Sequence, residues 1–189
     1  WFEDIEGRSR LAVAGLTVPA LGGAVLSMAR RRAGGRSPFK VDGNTVETPY
    51  AVVKFDRIGR IASFLHKASG RELVADGGAL NSILIGEDIP AAWDSWDIDS
   101  DHQLKLGVES RLLSRKVTAD GPLQLRLRSE YKVGASSRVT QDIVFHAMSE
   151  RVDFETLVDW NEKHQLLKAG FDINVLADSA RHEIQYGHL

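Results

Sequence analysis

The chain has 189 residues, with 24 Lys and Arg against 26 Asp and Glu, a formal net charge of −2 and 43% apolar residues. That is enough for one sizeable domain or a domain with an added piece, and the mixed, near-neutral charge supplies no footprint for nucleic acid or an anionic membrane surface. Cysteine is absent, which excludes disulfides and thiolate metal sites and fits a cytoplasmic protein better than a secreted one.

The chain opens on Trp1 rather than methionine, which suggests a piece of a longer protein. Leu11 to Ala29 is an uncharged, mostly apolar run of bilayer-spanning length, followed by Arg30, Arg31 and Arg32. Pro19, Gly22 and Gly23 interrupt it, and its apolar residues are mainly small. LAVAGL and GAVLSMA therefore read as two short strands around a turn at Val18-Pro19-Ala20-Leu21-Gly22, in preference to a membrane helix. The polar, glycine-rich stretch RRAGGRS, Arg31 to Ser37, reads as a linker. The expected division is a short β piece over 1–32, a linker over 33–38 and a main β domain over 39–189.

Within the main domain the apolar period is two. Ala51, Val53 and Phe55 alternate with Val52, Lys54 and Asp56, and Arg57-Ile58-Gly59-Arg60 turns the chain into Ile61–Leu65. Asp42-Gly43-Asn44 and Ser69-Gly70 are turn sequences, and neither opens a phosphate-binding helix. Leu123, Leu125, Leu127, Tyr131 and Val133 alternate with Gln124, Arg126, Arg128, Glu130 and Lys132; after Gly134-Ala135-Ser136-Ser137 the pattern resumes at Val139, Ile143 and Phe145. Val152, Phe154, Val158 and Trp160 share a strand face, opposite Arg151, Asp153, Glu155 and Asp159. A polar break at Asn161–His164 precedes Leu167, Ala169, Phe171, Ile173 and Val175, and the two runs read as an antiparallel hairpin. A third short run covers His182 to Tyr186. Asp153, Glu155, Asp159 and Glu162 read as a solvated strand face, with Asp159-Trp160 as an alternative packing surface for a neighbouring domain. No amphipathic helix of ten or more residues is apparent. Strands at fairly regular spacing indicate an all-β sandwich or a related fold.

One segment carries chemistry on its face: Trp93-Asp94-Ser95-Trp96-Asp97-Ile98-Asp99. Tryptophan rings stack on the apolar faces of sugars, and carboxylates accept hydrogen bonds from hydroxyl groups. Trp93, Asp94, Trp96, Asp97 and Asp99 are accordingly candidates for carbohydrate contact, the alternative being a loop with packed tryptophans and turn-capping aspartates. The six histidines, His66, His102, His146, His164, His182 and His188, are scattered without a metal-ligand spacing.

In order along the chain, several blocks resemble glycoside hydrolase family 38, the retaining zinc-dependent α-mannosidases, in their C-terminal β region. TVPALGGAVLS resembles the family's "P-x-L-G-y" strand pair, VVKFDRIGRIASFLHKASGREL its opening hairpin, AAWDSWDID its "n-W-D-A-W-D-I-D", RVDFETLVDWNEKHQLLKAGFDINV its "R-I-D-F-x-t-x-V-D-W" block and EIQYGHL its "Y-E-I-Q-F-G" block. Gly23, Gly170 and Asp172 depart from the pattern. The resemblance implies an antiparallel supersandwich like that of galactose mutarotase, truncated at Leu189, since the family's pattern continues beyond the EIQYGHL block. It implies an α-mannoside or oligosaccharide substrate handled by a parent enzyme, and packing of this region on that enzyme's catalytic domain and helical bundle. The zinc ligands, the nucleophile and the acid/base of the family precede the region matched, so the resemblance assigns no catalytic or metal-binding residue to this chain. The competing expectations are a stand-alone carbohydrate-binding module, a mutarotase-like epimerase and a purely structural interaction domain. Adjacency of His182 and Glu183, which puts them on opposite faces of a strand, argues against their being an epimerase pair.

Overall fold

A computed structural model describes residues 1–25, 35–94 and 96–188. In chain order the strands are β1 (Phe2–Glu3), β2 (Ser9–Arg10), β3 (Lys40–Asp42), β4 (Thr45–Glu47), β5 (Ala51–Phe55), β6 (Ile61–His66), β7 (Arg71–Glu72) and β8 (Leu80–Glu87). A one-turn helix, α1 (His102–Lys105), precedes β9 (Arg111–Asp120), β10 (Gln124–Val133), β11 (Ser137–His146), β12 (Val152–Asp159), β13 (Gln165–Phe171), β14 (Glu183–Ile184) and β15 (Gly187–His188). No helix among the described residues is long and apolar enough to cross a membrane.

Two antiparallel sheets form the body. One runs β12-β11-β10-β9; the other runs β13-β8-β6-β5-β4-β3, with β7 beside β6. The alternating residues named above explain the layering. Leu125, Leu127, Ile143 and Phe145 of the first sheet meet Val46, Val53, Phe55 and Ile61 of the second in one buried cluster. A second cluster joins Ile83 and Ile85 of β8 to Tyr131, Val133 and Val139. Apolar faces from two sheets, buried against each other, make a β-sandwich. Between the layers Asn81 and Gln141 exchange side-chain hydrogen bonds of 2.7 and 3.2 Å, and Gln141 also donates to the Thr156 hydroxyl at 3.0 Å, so these buried amides are satisfied. The expected hairpin turns are in place. Gly43 and Asn44 link β3 to β4, and Gly59 sits at φ +98° with the Tyr131 hydroxyl 2.7 Å from where a Cβ would stand.

Three expectations are corrected. First, β12 and β13 do not form a hairpin: β12 pairs with β11 and β13 with β8, in different sheets. Their apolar sides face each other across the sandwich instead, with the Phe154 and Phe171 rings 5.4 Å apart, edge to face. A strand pair related this way needs a crossing between layers, and the polar break supplies it. Second, Leu11–Leu16 is not a strand; it is largely exposed and unpaired, and the pairing near it is made by β1 with β2. The turn at Pro19 does form, with Gly22 N–H donating to the Pro19 carbonyl. The end of GAVLSMA, the arginine triplet and the boundary between the first two expected segments lie outside the described residues. Third, the acidic residues near β12 are not merely solvated. Asp153 pairs with Arg151 and His146, Glu155 with Arg126, and Glu162 accepts from Ser136 and Ser137. The run at His182–Tyr186 becomes the small exposed pair β14–β15.

The outer face of the β9–β12 sheet carries a buried charge layer. Arg126 is 1% exposed, its guanidinium under the Phe2 ring at 4.5 Å and 3.3 Å from Asp142. Arg128 donates to both Asp142 oxygens at 2.7 and 2.9 Å and to the Asp4 carbonyl at 2.8 Å. Removing one member of such a pair leaves charge stranded away from water, which costs about 3–5 kcal/mol. Asp142→Ala is therefore expected to lower the stability of the chain by about 3–5 kcal/mol in urea unfolding, far more than the same change at exposed Asp120.

Candidate functional site

The segment with the aromatic-acid pattern connects the end of β8 to α1. Its far end is anchored. The Asp99 carboxylate accepts Lys105 Nζ at 2.7 Å, its N–H donates to Asp88 Oδ1 at 2.9 Å, and its carbonyl accepts the His102 N–H and lies 2.8 Å from Nδ1. Lys105 also reaches Asp101 at 2.9 Å and Glu87 at 3.4 Å. The Lys105 ammonium holds the Asp99 carboxyl below the usual aspartate value. Because His102 Nδ1 faces a carbonyl, it carries the proton, which leaves Nε2 to accept from Lys168 Nζ at 2.8 Å. The last of these contacts ties the segment to β13.

The near end is different. Trp93 adopts φ +61°, a conformation that side chains other than glycine adopt rarely. Its carbonyl accepts the Trp96 and Asp97 N–H groups at 2.8 and 2.9 Å, closing a tight turn. The two indoles project from that turn, 77% and 91% exposed, so they are not packed as the turn-only reading required. Asp97 caps the Ile98 N–H at 2.9 Å. Of the five sequence-predicted contacts, Asp99 is structural, Asp97 serves the turn, and Trp93 and Trp96 are unsupported by neighbours. Ser95 lies outside the described residues.

Asp94 faces a cleft of about 460 Å³ together with Asp88, Trp160, Lys163, His164 and Gln165. Its second wall is the crossing from β12 to β13. Trp160 packs on the cluster of Ile83, Tyr131 and Val139. His164 adopts φ +53°, and its carbonyl accepts the Asp88 N–H at 2.9 Å. Glu162 closes the floor: its carboxylate accepts the N–H groups of Ser136 and Ser137 at 2.8 and 3.1 Å and the Ser137 hydroxyl at 3.0 Å. Sequence reasoning gave Trp160 and His164 other roles and had no signal for Asp88 or Gln165, because only the crossing between sheets brings positions 88–94 beside 160–165.

The remaining histidines are dispersed. His66 Nδ1 meets the Ser69 hydroxyl at 2.8 Å, His146 meets Asp153 at 2.9 Å, and His182 and His188 are exposed at the β14–β15 pair. Among the described residues no three His, Asp or Glu side chains are placed to hold a metal ion.

A two-layer antiparallel sandwich with an aromatic-acidic segment at one end matches a known class. The family model for the C-terminal domain of glycosyl hydrolases family 38 matches residues 46–189, and the chain belongs to that family. It is 33% identical over 152 residues to alpha-mannosidase 2C1 of Homo sapiens, covering 79% of this chain and 15% of that protein. To alpha-mannosidase G of Dictyostelium discoideum it is 37% identical over 136 residues, covering 69% of this chain and 12% of that protein. The mouse alpha-mannosidase 2C1 matches over the same span at 31% identity. The chain thus corresponds to a small part of each relative.

The Glu162 contacts give a pH-dependent prediction. The Ser136 N–H is the first of several donors that hold the Glu162 carboxyl below its ordinary value of 4.5. A depressed folded-state value stabilises the fold fully above the ordinary value, and that contribution is lost as pH falls through the lower one. Unfolding curves of the native chain and Glu162→Gln should differ at neutral pH, with the native chain more stable, and converge as pH drops below 4.5.

Proposed function

We propose that this chain is a non-catalytic C-terminal β domain, of the supersandwich type found in galactose mutarotase, within a zinc-dependent retaining α-mannosidase that hydrolyses terminal α-mannosides. The observation that carries this reading is the family match over 46–189, joined to three relatives that are themselves alpha-mannosidases. The division into 1–32, 33–38 and 39–189 belongs to the same proposal. Zinc, the nucleophile and the acid/base belong to the catalytic portion of the parent, where a retaining mechanism needs two carboxyl groups about 5 Å apart. A cytoplasmic parent agrees with the absence of cysteine.

The role of the domain is to pack against the catalytic domain and helical bundle and to wall the sugar site with Trp93, Asp94, Trp96 and Asp97. The exposure of Trp93 and Trp96 supports this, since two indoles on one tight turn leave apolar ring faces available to a ligand. In steady-state assays of the parent enzyme, Trp96→Ala with Asp97→Asn should raise KM for an aryl α-mannoside about tenfold, the loss of roughly 1.4 kcal/mol of binding. The 189-residue chain alone should give no turnover of the same substrate, with or without added zinc; turnover that survives repurification refutes the proposal.

A further inference from the structure

The cleft between the aromatic-acidic segment and the β12–β13 crossing has features that the protruding tryptophans lack. Trp160 is half-buried and packed against the cluster of Ile83, Ile85, Tyr131, Val133 and Val139, which limits the freedom of its ring. Trp93 and Trp96, at 77% and 91% exposure, would have to be immobilised by a ligand. A ring fixed in advance stacks at lower entropic cost.

The polar groups around Trp160 are fixed as well. Asp88 joins the two walls, accepting the Asp99 N–H through Oδ1 while its own N–H donates to the His164 carbonyl. Gln165 begins β13 and is held in register opposite Glu87. His164 and Trp93, two of the non-glycine residues in the left-handed region, stand one on each wall. Such conformations persist where surrounding structure enforces them, and they gather at ligand sites. The Glu162 carboxylate is engaged by Ser136 and Ser137 and so serves as framework.

The chemistry selects a class of ligand. Asp88, Asp94 and Glu162 outnumber Lys163 in the lining and so disfavour phosphate or carboxylate groups, and the mostly polar lining gives an apolar ligand little to bury. A neutral ring with one apolar face and several hydroxyl groups fits: the face on an indole, the hydroxyls to carboxylate oxygens, the Gln165 amide and the His164 imidazole. We propose that this cleft is a pyranose subsite, built on Trp160, Asp88 and Gln165, that holds a glycan residue other than the one being cleaved. The proposal rests on the mannosidase reading for its choice of sugar.

The test is a titration of the 189-residue chain with methyl α-mannopyranoside, followed by ¹⁵N–¹H correlation spectra in which the four indole N–H signals and the Gln165 side-chain amide are assigned. Saturable shifts at Trp160 and Gln165 are expected, at millimolar ligand, with no comparable response to glycerol. Gln165→Ala, whose side chain takes no part in the core, should weaken binding about fivefold, the effect of losing one hydrogen bond, without changing the thermal unfolding midpoint. Absence of saturable shifts overturns the subsite. Shifts confined to Trp93 and Trp96 also overturn it while leaving the sugar-wall role of that segment standing. An inactive parent enzyme would instead remove the mannosidase reading, and the binding measurement does not depend on that assay.

Discussion

The crossing at residues 160–164 is the constraint on which the arrangement of this domain turns. It carries the chain from one sheet to the other, and four of its five residues are tied down. Trp160 enters the apolar cluster, the Asn161 N–H donates to the Ser137 hydroxyl at 2.8 Å, and Glu162 caps the β10–β11 turn. The His164 carbonyl then takes the Asp88 N–H. Because a crossing between layers forfeits the ladder hydrogen bonds of a hairpin, its backbone groups need other partners. Here those partners come from both sheets, and so the crossing fixes one layer against the other as well as connecting them.

The interior adds a second constraint of the same kind. Apolar clusters alone tolerate sliding, since many arrangements of Val, Ile and Leu bury similar area. The Asn81–Gln141 pair does not, because a shift that separated the amides would strip the buried Asn81 amide of its side-chain partner. On the outer face, Arg126, Arg128 and Asp142 act similarly on the N-terminal hairpin. Phe2 covers Arg126 and the Asp4 carbonyl accepts from Arg128, so the first residues are positioned by charges belonging to the sandwich. Buried polar groups thus specify alignment where the hydrophobic effect supplies most of the cohesion.

What the sequence made legible follows the same division. The strands over Ala51–Phe55, Gln124–Val133 and Ser137–His146 were readable because an alternating apolar period and a local turn determine them. Pairing across a short break was not readable for β12 and β13, since a polar tetrapeptide between two alternating runs is compatible with a hairpin or a crossing. The choice was made by Ser136, Ser137 and Asp88, all distant in sequence. LAVAGL has the composition of a strand but finds no partner edge among the described residues. The aromatic-acidic segment is visible in the sequence as a unit, yet its residues divide by place only in three dimensions: a turn, an anchor at Asp99 and one carboxylate, Asp94, on a cleft.

That division also shows how the sandwich positions a segment that lies outside its core. Asp99, Lys105 and His102 fasten the far end of the segment to β8 and β13, and so fix the backbone position from which Trp93 and Trp96 project. A fixed backbone lowers the entropy that a projecting side chain loses when a ligand orders it. The ion pairs at Asp99 are partly exposed and add little to global stability. Their effect is local: they hold a strained turn, with Trp93 at φ +61°, against relaxation into the extended conformations open to it. The framework of the sandwich therefore acts through geometry. It delivers aromatic and acidic groups to one end of the domain, on the turn after β8 and beside the start of β13.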